Sequence, residues 1–321
     1  TVAGDSNDGG FGDAVNVTST TGTIDIATSS AGAISGLSNY GIYAQSTGAG
    51  DGGSNKLGDG HVTIDVGAAI GSSGAAVNSD GVYARINNGS SNGNVTVTDN
   101  ADLNAGLGGL HIEQDGLGGT TVSYGTKADS AQKMTAGVSG IEVQQSSGAN
   151  IKGITVNVGG AGTGTTEIAA GRFGVLINGA GTGVAQANLG DNVKIDPNDW
   201  GIVVKNNGDA TVVAGANLDI AVDDATDLDN IGVGILAVSN KATDTAVGDP
   251  SVEVTVGANG KIVVNSDDGA GIAALNSAGG AGSGSVKVVT GNGLDIKVTG
   301  DGAQGIAAAP TLPAADNRGS G

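Results

Sequence analysis

An all-β chain wound as a right-handed parallel β-helix (a β-solenoid), with about nine to ten coils of three strands each, is what this sequence predicts, on three observations. The first is a recurring phrase, a glycine followed by an alternating trio. It reads Gly41-Ile42-Tyr43-Ala44, Gly81-Val82-Tyr83-Ala84, Gly109-Leu110-His111-Ile112, Gly140-Ile141-Glu142-Val143, Gly174-Val175-Leu176-Ile177, Gly201-Ile202-Val203-Val204, Gly234-Ile235-Leu236-Ala237, Gly271-Ile272-Ala273-Ala274 and Gly305-Ile306-Ala307-Ala308. The glycines stand about 33 residues apart on average, a period that marks stacked repeats. The second is the alternation itself: the second and fourth residues are small or aliphatic, whereas the third ranges over Tyr, His, Glu, Leu, Val and Ala. A period of two with one constrained face is a strand. The third is composition, with 62 glycines, four prolines and 2% aromatic residues in 321. A globular core of this length draws on more rings, whereas a stack, in which each coil covers the next, needs only small aliphatic residues in a thin interior.

Taken in order, residues 1–13 are a Gly- and Asp-rich lead-in, residues 14–308 the β-helix, and residues 309–321 an exit or linker segment carrying two prolines. The first coil reads Val15-Asn16-Val17, then Ile24-Asp25-Ile26, then a turn at Ser29-Ser30 before the phrase at Gly41. The second reads Val62-Thr63-Ile64-Asp65-Val66, then Ala69-Ile70, then the phrase at Gly81. The late copies are the cleanest: Val252 to Val256, Lys261 to Val264 and Gly271 to Ala274, followed by Val286 to Val288, Leu294 to Val298 and Gly305 to Ala308. The glycine of each phrase is expected to mark a corner with positive φ. A bare coil needs fewer than 33 residues, so the surplus is expected in loops at 46–59, 116–134, 159–165, 223–230 and 239–250. Stacked at the spacing of parallel strands, nine coils make a rod on the order of 45 Å long.

The net charge of −19 repels phosphate backbones and argues against a nucleic-acid partner. With no cysteine there is neither a disulfide framework nor thiolate chemistry. No apolar run approaches the length of a transmembrane helix. Residues 1–20 lack the basic start and apolar core of a signal peptide, which reads as a start that has been removed.

Few residues here are of the kinds that carry chemistry. His61 and His111 are the two histidines, both expected in strands, with His111 a solvated side chain in an outward slot. Two isolated histidines without cysteine make no zinc site. Ser6, within Gly4-Asp5-Ser6-Asn7-Asp8-Gly9-Gly10, is not followed by glycine and has no histidine partner, so it is no protease nucleophile. Gly179-x-Gly181-x-Gly183 lacks the helix that a phosphate cradle requires. Carboxylates are scattered rather than paired, which argues against a β-helical carbohydrate-active enzyme, the alternative to a binding or structural role. No cofactor is expected. Calcium is the one cation to weigh, at the acidic loop of Asp223, Asp224, Asp227 and Asp229, although Ile231 and Val238 fill slots of a twelve-residue calcium loop that need oxygen ligands.

Ser251-Val252-Glu253-Val254-Thr255-Val256-Gly257-Ala258-Asn259-Gly260 and Asp301-Gly302-Ala303-Gln304-Gly305-Ile306-Ala307-Ala308, with the phrases at Gly41 and Gly81, resemble the passenger repeats of bacterial type V autotransporters and related large adhesins over about residues 14–308. The resemblance implies a non-enzymatic rod at the surface of a Gram-negative bacterium, exported across the outer membrane without spanning it. Such a rod acts in adhesion, in aggregation or as a stalk. Its partners would be a host or bacterial surface protein or glycan, with self-association or assembly into a surface layer or fibre as a further possibility. The signal peptide and translocator barrel of a complete member are not among these residues.

Two columns follow from the repeat. Ile42, Val82, Leu110, Ile141, Val175, Ile202, Ile235, Ile272 and Ile306 should form one interior ladder. The outward slots change character along the rod, from Tyr43, Tyr83, His111 and Glu142 to Leu176, Val203, Leu236, Ala273 and Ala307. Tyr43 and Tyr83 are therefore candidate ring contacts for a sugar or receptor, and Leu176, Val203 and Leu236 a candidate apolar interface stripe, unless a loop at 179–188 or 223–230 covers them.

Overall fold

The computed structural model describes residues 12–20, 22–34, 38–48, 60–127, 131–160, 162–223, 231–241, 251–277 and 284–309. These residues form strands and turns, with no helix among them. Three parallel sheets wrap a common interior, one of ten strands and two of nine. The first face runs from Val15–Ser19 through Ile42–Ser46, Val82–Ile86 and Gly108–Gln114 to Gln304–Ala309. The second runs from Ile24–Thr28 to Val286–Thr290, and the third from Ala33–Ile34 to Asp295–Thr299. Each strand pairs with the strand of the same face one coil before and after, as a parallel β-helix with three strands per turn requires. The right-handed sense is the one that a right-twisted strand takes when it crosses over to a parallel neighbour.

The expected interior ladder forms in register: Ile42 opposes Val82, Val82 opposes Leu110, and the series continues through Ile141, Val175, Ile202, Ile235 and Ile272 to Ile306. Its members are fully buried up to Ile272. Ile306, on the last described strand of this face, has a strand on one side only and is 48% exposed. The second face contributes Ile64, Val97, Val122 and Val156 in one column, and the third contributes Ile70, Leu103, Met134, Ile168, Ile195, Ile220 and Ile262. These side chains pack into one continuous cluster, so each coil is stable only against its neighbours.

The recurring glycines serve a different purpose from the one expected. None of those at 41, 81, 109, 140, 174, 201, 234 and 271 has positive φ. Instead, the third-face column presses onto them. A Cβ on Gly140 would lie 2.3 Å from Ile168 Cγ2, one on Gly174 2.2 Å from Ile195 Cγ2, and one on Gly271 2.3 Å from Ile296 Cγ2. The glycine column is a groove that seats the aliphatic ladder closing each coil, and any side chain there would collide with it. Positive φ falls at other turns, among them the one between second and third faces, where Asn192, Asn217, Asn259 and Gly293 repeat on successive coils. The Asn217 Nδ2 donates to Asn192 Oδ1 at 2.9 Å, so the turn is itself a short side-chain ladder.

Other expectations also change. The stretch 116–134, read as a loop, contains the strand Thr120–Tyr124 and the start of Gln132–Ala136. The stretch 179–188 likewise enters the strand Ala185–Leu189 rather than folding back. A polar column at the end of first-face strands was not foreseen: Gln114, Asn206 and Ser239 are buried and satisfy the carbonyls of Gly93, Gly183 and Gly208. These bonds let the chain turn inside the rod without orphaned backbone groups.

Candidate functional site

The outward column of the first face is irregular in character and, over its early members, concave. In register it reads Asn16, Tyr43, Tyr83, His111, Glu142, Leu176, Val203, Leu236, Ala273 and Ala307. Its early members, with neighbouring turn residues, line a cleft of about 490 Å3, a volume within the ordinary range of small-ligand sites.

The aromatic wall arises directly from strand pairing. Because Tyr43 and Tyr83 are opposite each other on adjacent coils, their rings stack, 5.1 Å apart and within 9° of parallel. Tyr40, in the turn before Gly41, tilts against both at 5.4 and 5.6 Å. His111 meets the far side of Tyr83 edge-on at 5.2 Å. The two tyrosines picked from sequence are thus brought together, but the open platform expected of them is not there: Tyr83 is 9% exposed and gives its faces to its neighbours. What the cluster offers outward is ring edges and hydroxyls. The Tyr43 hydroxyl donates to Gln45 Oε1. Burial raises the Tyr83 phenol well above its ordinary value, and the Glu113 charge raises it further, so it stays protonated.

His111 is held rather than freely solvated, contrary to the sequence reading. Asp80, 8% exposed at its side chain, accepts the Gly108 N–H at 2.7 Å through Oδ1 and lies 3.3 Å from His111 Nδ1 through Oδ2. His111 Nε2 is 3.5 Å from Glu113. Burial pulls the imidazole down, yet the Asp80 hydrogen bond and charge, joined by Glu142 and Glu113, outweigh it and leave its pKa raised. Arg85 sits behind, 3.0 Å from Glu113 and 2.8 Å from Asp115. Glu142 accepts from two neutral donors, the Ser139 hydroxyl at 2.9 Å and the Gln144 amide at 2.8 Å. Leu107, 49% exposed, and Val138 supply an apolar rim.

Sequence reasoning missed Tyr40, Asp80 and Glu113. The first two occupy the same place in their copies, immediately before the phrase glycine, and Glu113 is two residues beyond His111 and therefore on the same face. Reading the residue before each glycine as part of the outward surface would have found them.

The second candidate stretch is corrected. Leu176 is half-buried, but Val203 and Leu236 are 1% and 7% exposed, packed with Val233, Ala270, Ala273 and Leu275 and flanked by Phe173 and Trp200. Phe173 and Trp200 oppose each other one coil apart, and Arg172 and Lys205 cover their rings. The row is a satellite core, not an open interface stripe. His61 lies just before its strand rather than in it, its Nδ1 accepting the Asn94 N–H at 2.9 Å.

Among the described residues, no group of three or more His, Cys, Asp or Glu is arranged to hold a metal ion. Of the acidic loop, Asp223 accepts from Asn265 at 2.8 Å, while Asp224, Asp227 and Asp229 lie outside the described residues, as does Ser6. No helix among the described residues is long and apolar enough to cross a membrane. Compared with known proteins, the chain matches no family model, no curated protein and no solved structure.

Proposed function

We propose that this chain is a structural and adhesive β-solenoid displayed at a bacterial surface, a rod of the autotransporter-passenger type whose coils act as scaffold and whose Tyr–His–carboxylate cleft contacts a surface glycan or protein. The observation that carries the reading is the cleft itself. Along the first face the outward column is small or aliphatic from Leu176 onward, whereas at Tyr43, Tyr83, His111 and Glu142 it gathers rings, hydroxyls and charges in one concavity. Later coils stack with Leu176, Val203, Leu236 and Ala273 in the same slot, so coil stacking does not call for rings and charges there, and preorganised polar groups on a rigid strand array are what a binding site needs.

The second reading, a β-helical carbohydrate-active enzyme, draws on the same cleft, because Asp80, Glu113 and Glu142 converge around His111. One experiment separates the two. The purified chain is presented with cells and a glycan panel, and released sugar is followed by reducing-end and unsaturated-product assays. Binding without release is expected. Turnover of any panel member would replace the adhesive reading with the enzymatic one, and absence of binding to cells and glycans alike would remove the adhesive role.

A further inference from the structure

The charges around the cleft do not balance. Four carboxylates, Asp80, Glu113, Asp115 and Glu142, stand against one guanidinium, Arg85, and one imidazole, His111. Arg85 is shared between Glu113 and Asp115, and His111 between Asp80 and Glu113. Glu142 feels the His111 charge across the strand pair but accepts hydrogen bonds from neutral donors only, at the edge of the concavity beside Ser139. The chain as a whole carries a net charge of −19, so no distant cationic field compensates. An anionic ligand, such as a uronic acid, would add a fifth negative charge to this cluster.

The remaining polar groups define what besides charge would be recognised. The Tyr40 and Tyr43 hydroxyls can exchange hydrogen bonds with ligand hydroxyls, while Leu107, Val138 and the edge of Tyr40 offer apolar surface to the C–H face of a ring. A compact molecule with one ammonium group and several hydroxyls satisfies both halves. We propose that the cleft binds an amino sugar bearing a free ammonium group, with the ammonium against Glu142 and the sugar ring toward Tyr40 and Tyr43. This rests on reading the cleft as a glycan contact of an adhesive rod, and it specifies the glycan.

The test is isothermal titration of the whole chain with the glucosamine trimer, its N-acetylated counterpart, a galacturonate trimer and pentalysine. The glucosamine trimer should bind at least tenfold tighter than the N-acetylated one, because acetylation removes the charge and the charge-assisted hydrogen bond. The galacturonate trimer should give no heat. Raising the salt concentration from about 0.05 to about 0.5 M should weaken the glucosamine interaction, as partly exposed charges require. Glu142→Gln, which keeps shape and removes charge, should cost about tenfold or more, and Tyr43→Ala should weaken both glucosamine and N-acetylglucosamine trimers. The circular-dichroism spectrum of each variant serves as the fold control.

An N-acetylated trimer that binds as tightly as the glucosamine trimer overturns the ammonium assignment but leaves a glycan contact in place. Pentalysine binding as tightly as the glucosamine trimer overturns the sugar assignment. Cell binding by the chain without binding of any trimer overturns this inference while leaving the adhesive reading, and absence of both overturns both. A Glu142→Gln variant that binds like the parent also refutes it.

Discussion

Replacing Asp99 with asparagine should stabilise the rod at neutral pH, and the expected size follows from where this side chain lies. Asp99 ends the strand Val95–Asp99 and is paired in register with Val66 on one coil and Tyr124 on the next, both fully buried. Its own exposure is 0%. Oδ1 accepts the Ala101 N–H at 2.9 Å, whereas Oδ2 has no hydrogen-bond partner among the described residues. Burial pushes the carboxyl up to about 8, against a partial opposing effect of the Ala101 hydrogen bond and with the Asp102 and Asp65 charges adding to the rise. In the unfolded chain it titrates near 4. Between these values the folded state holds a proton that the unfolded state has released, so stability is greatest below about pH 4 and is lost as pH rises through about 8. The slope is up to about 1.4 kcal/mol per pH unit, or on the order of 4 kcal/mol by pH 7.

Asparagine keeps the shape and the acceptor for Ala101 and removes the ionisation, but it introduces an amide N–H pair costing about 1–3 kcal/mol if unsatisfied. The net gain at pH 7 is therefore about 1–3 kcal/mol, and the slope is the cleaner signature. Urea unfolding of parent and Asp99→Asn at pH 5, 7 and 9, followed by far-ultraviolet circular dichroism, should show the parent losing stability relative to the variant with each step to pH 8 and a constant gap beyond it. Parallel curves across pH 5–9 would refute the reasoning and place Asp99 in contact with water.

Ile202→Asp places an unpaired charge in the middle of the interior ladder, between Val175 and Ile235, and should cost several kcal/mol or prevent folding; a urea midpoint equal to the parent's would mean the inward and outward faces are reversed. Gly174→Ala should destabilise by at least about 1–3 kcal/mol, since its Cβ would fall 2.2 Å from Ile195 Cγ2 and 2.6 Å from the Gly201 carbonyl oxygen. Gly305→Ala, with nothing within 4 Å of its Cβ, should be close to neutral, and equal effects at the two sites in thermal unfolding would sink the groove argument. The His111 imidazole should titrate above the ordinary histidine value in proton NMR, held charged by Asp80, Glu142 and Glu113 against the effect of burial. It therefore stabilises the fold below about pH 6.5, and that contribution fades as pH rises through the folded value. A titration midpoint below 6.5 would show that burial prevails.

The coil architecture was legible in the sequence because a solenoid repeats one local instruction. Alternation at Ile202-Val203-Val204 or Val252-Glu253-Val254 specifies which residues face inward without reference to distant parts of the chain, and stacking copies then fixes the partner of each residue as its equivalent in the next copy. The interior ladder from Ile42 to Ile306 could therefore be written down residue by residue. The pairing of Tyr43 with Tyr83 and of His111 with Glu142 followed from the same register.

What required the tertiary structure was everything that depends on contact between different faces. The glycine column has ordinary negative φ and is small because Ile168, Ile195 and Ile296 arrive from the third face, a collision that no local pattern encodes. Val203 and Leu236 point outward as alternation says, yet they are buried among Phe173, Trp200 and Val233, since outward from a strand is not the same as exposed to water. The cleft depends on such placement too: Asp80 and Tyr40 lie in turns whose path is set by the coils they join, and only that path brings a carboxylate onto His111 and a third ring onto the tyrosine pair. Periodicity fixes direction and register along a strand, whereas distance between faces and burial are fixed by the packing of the whole coil.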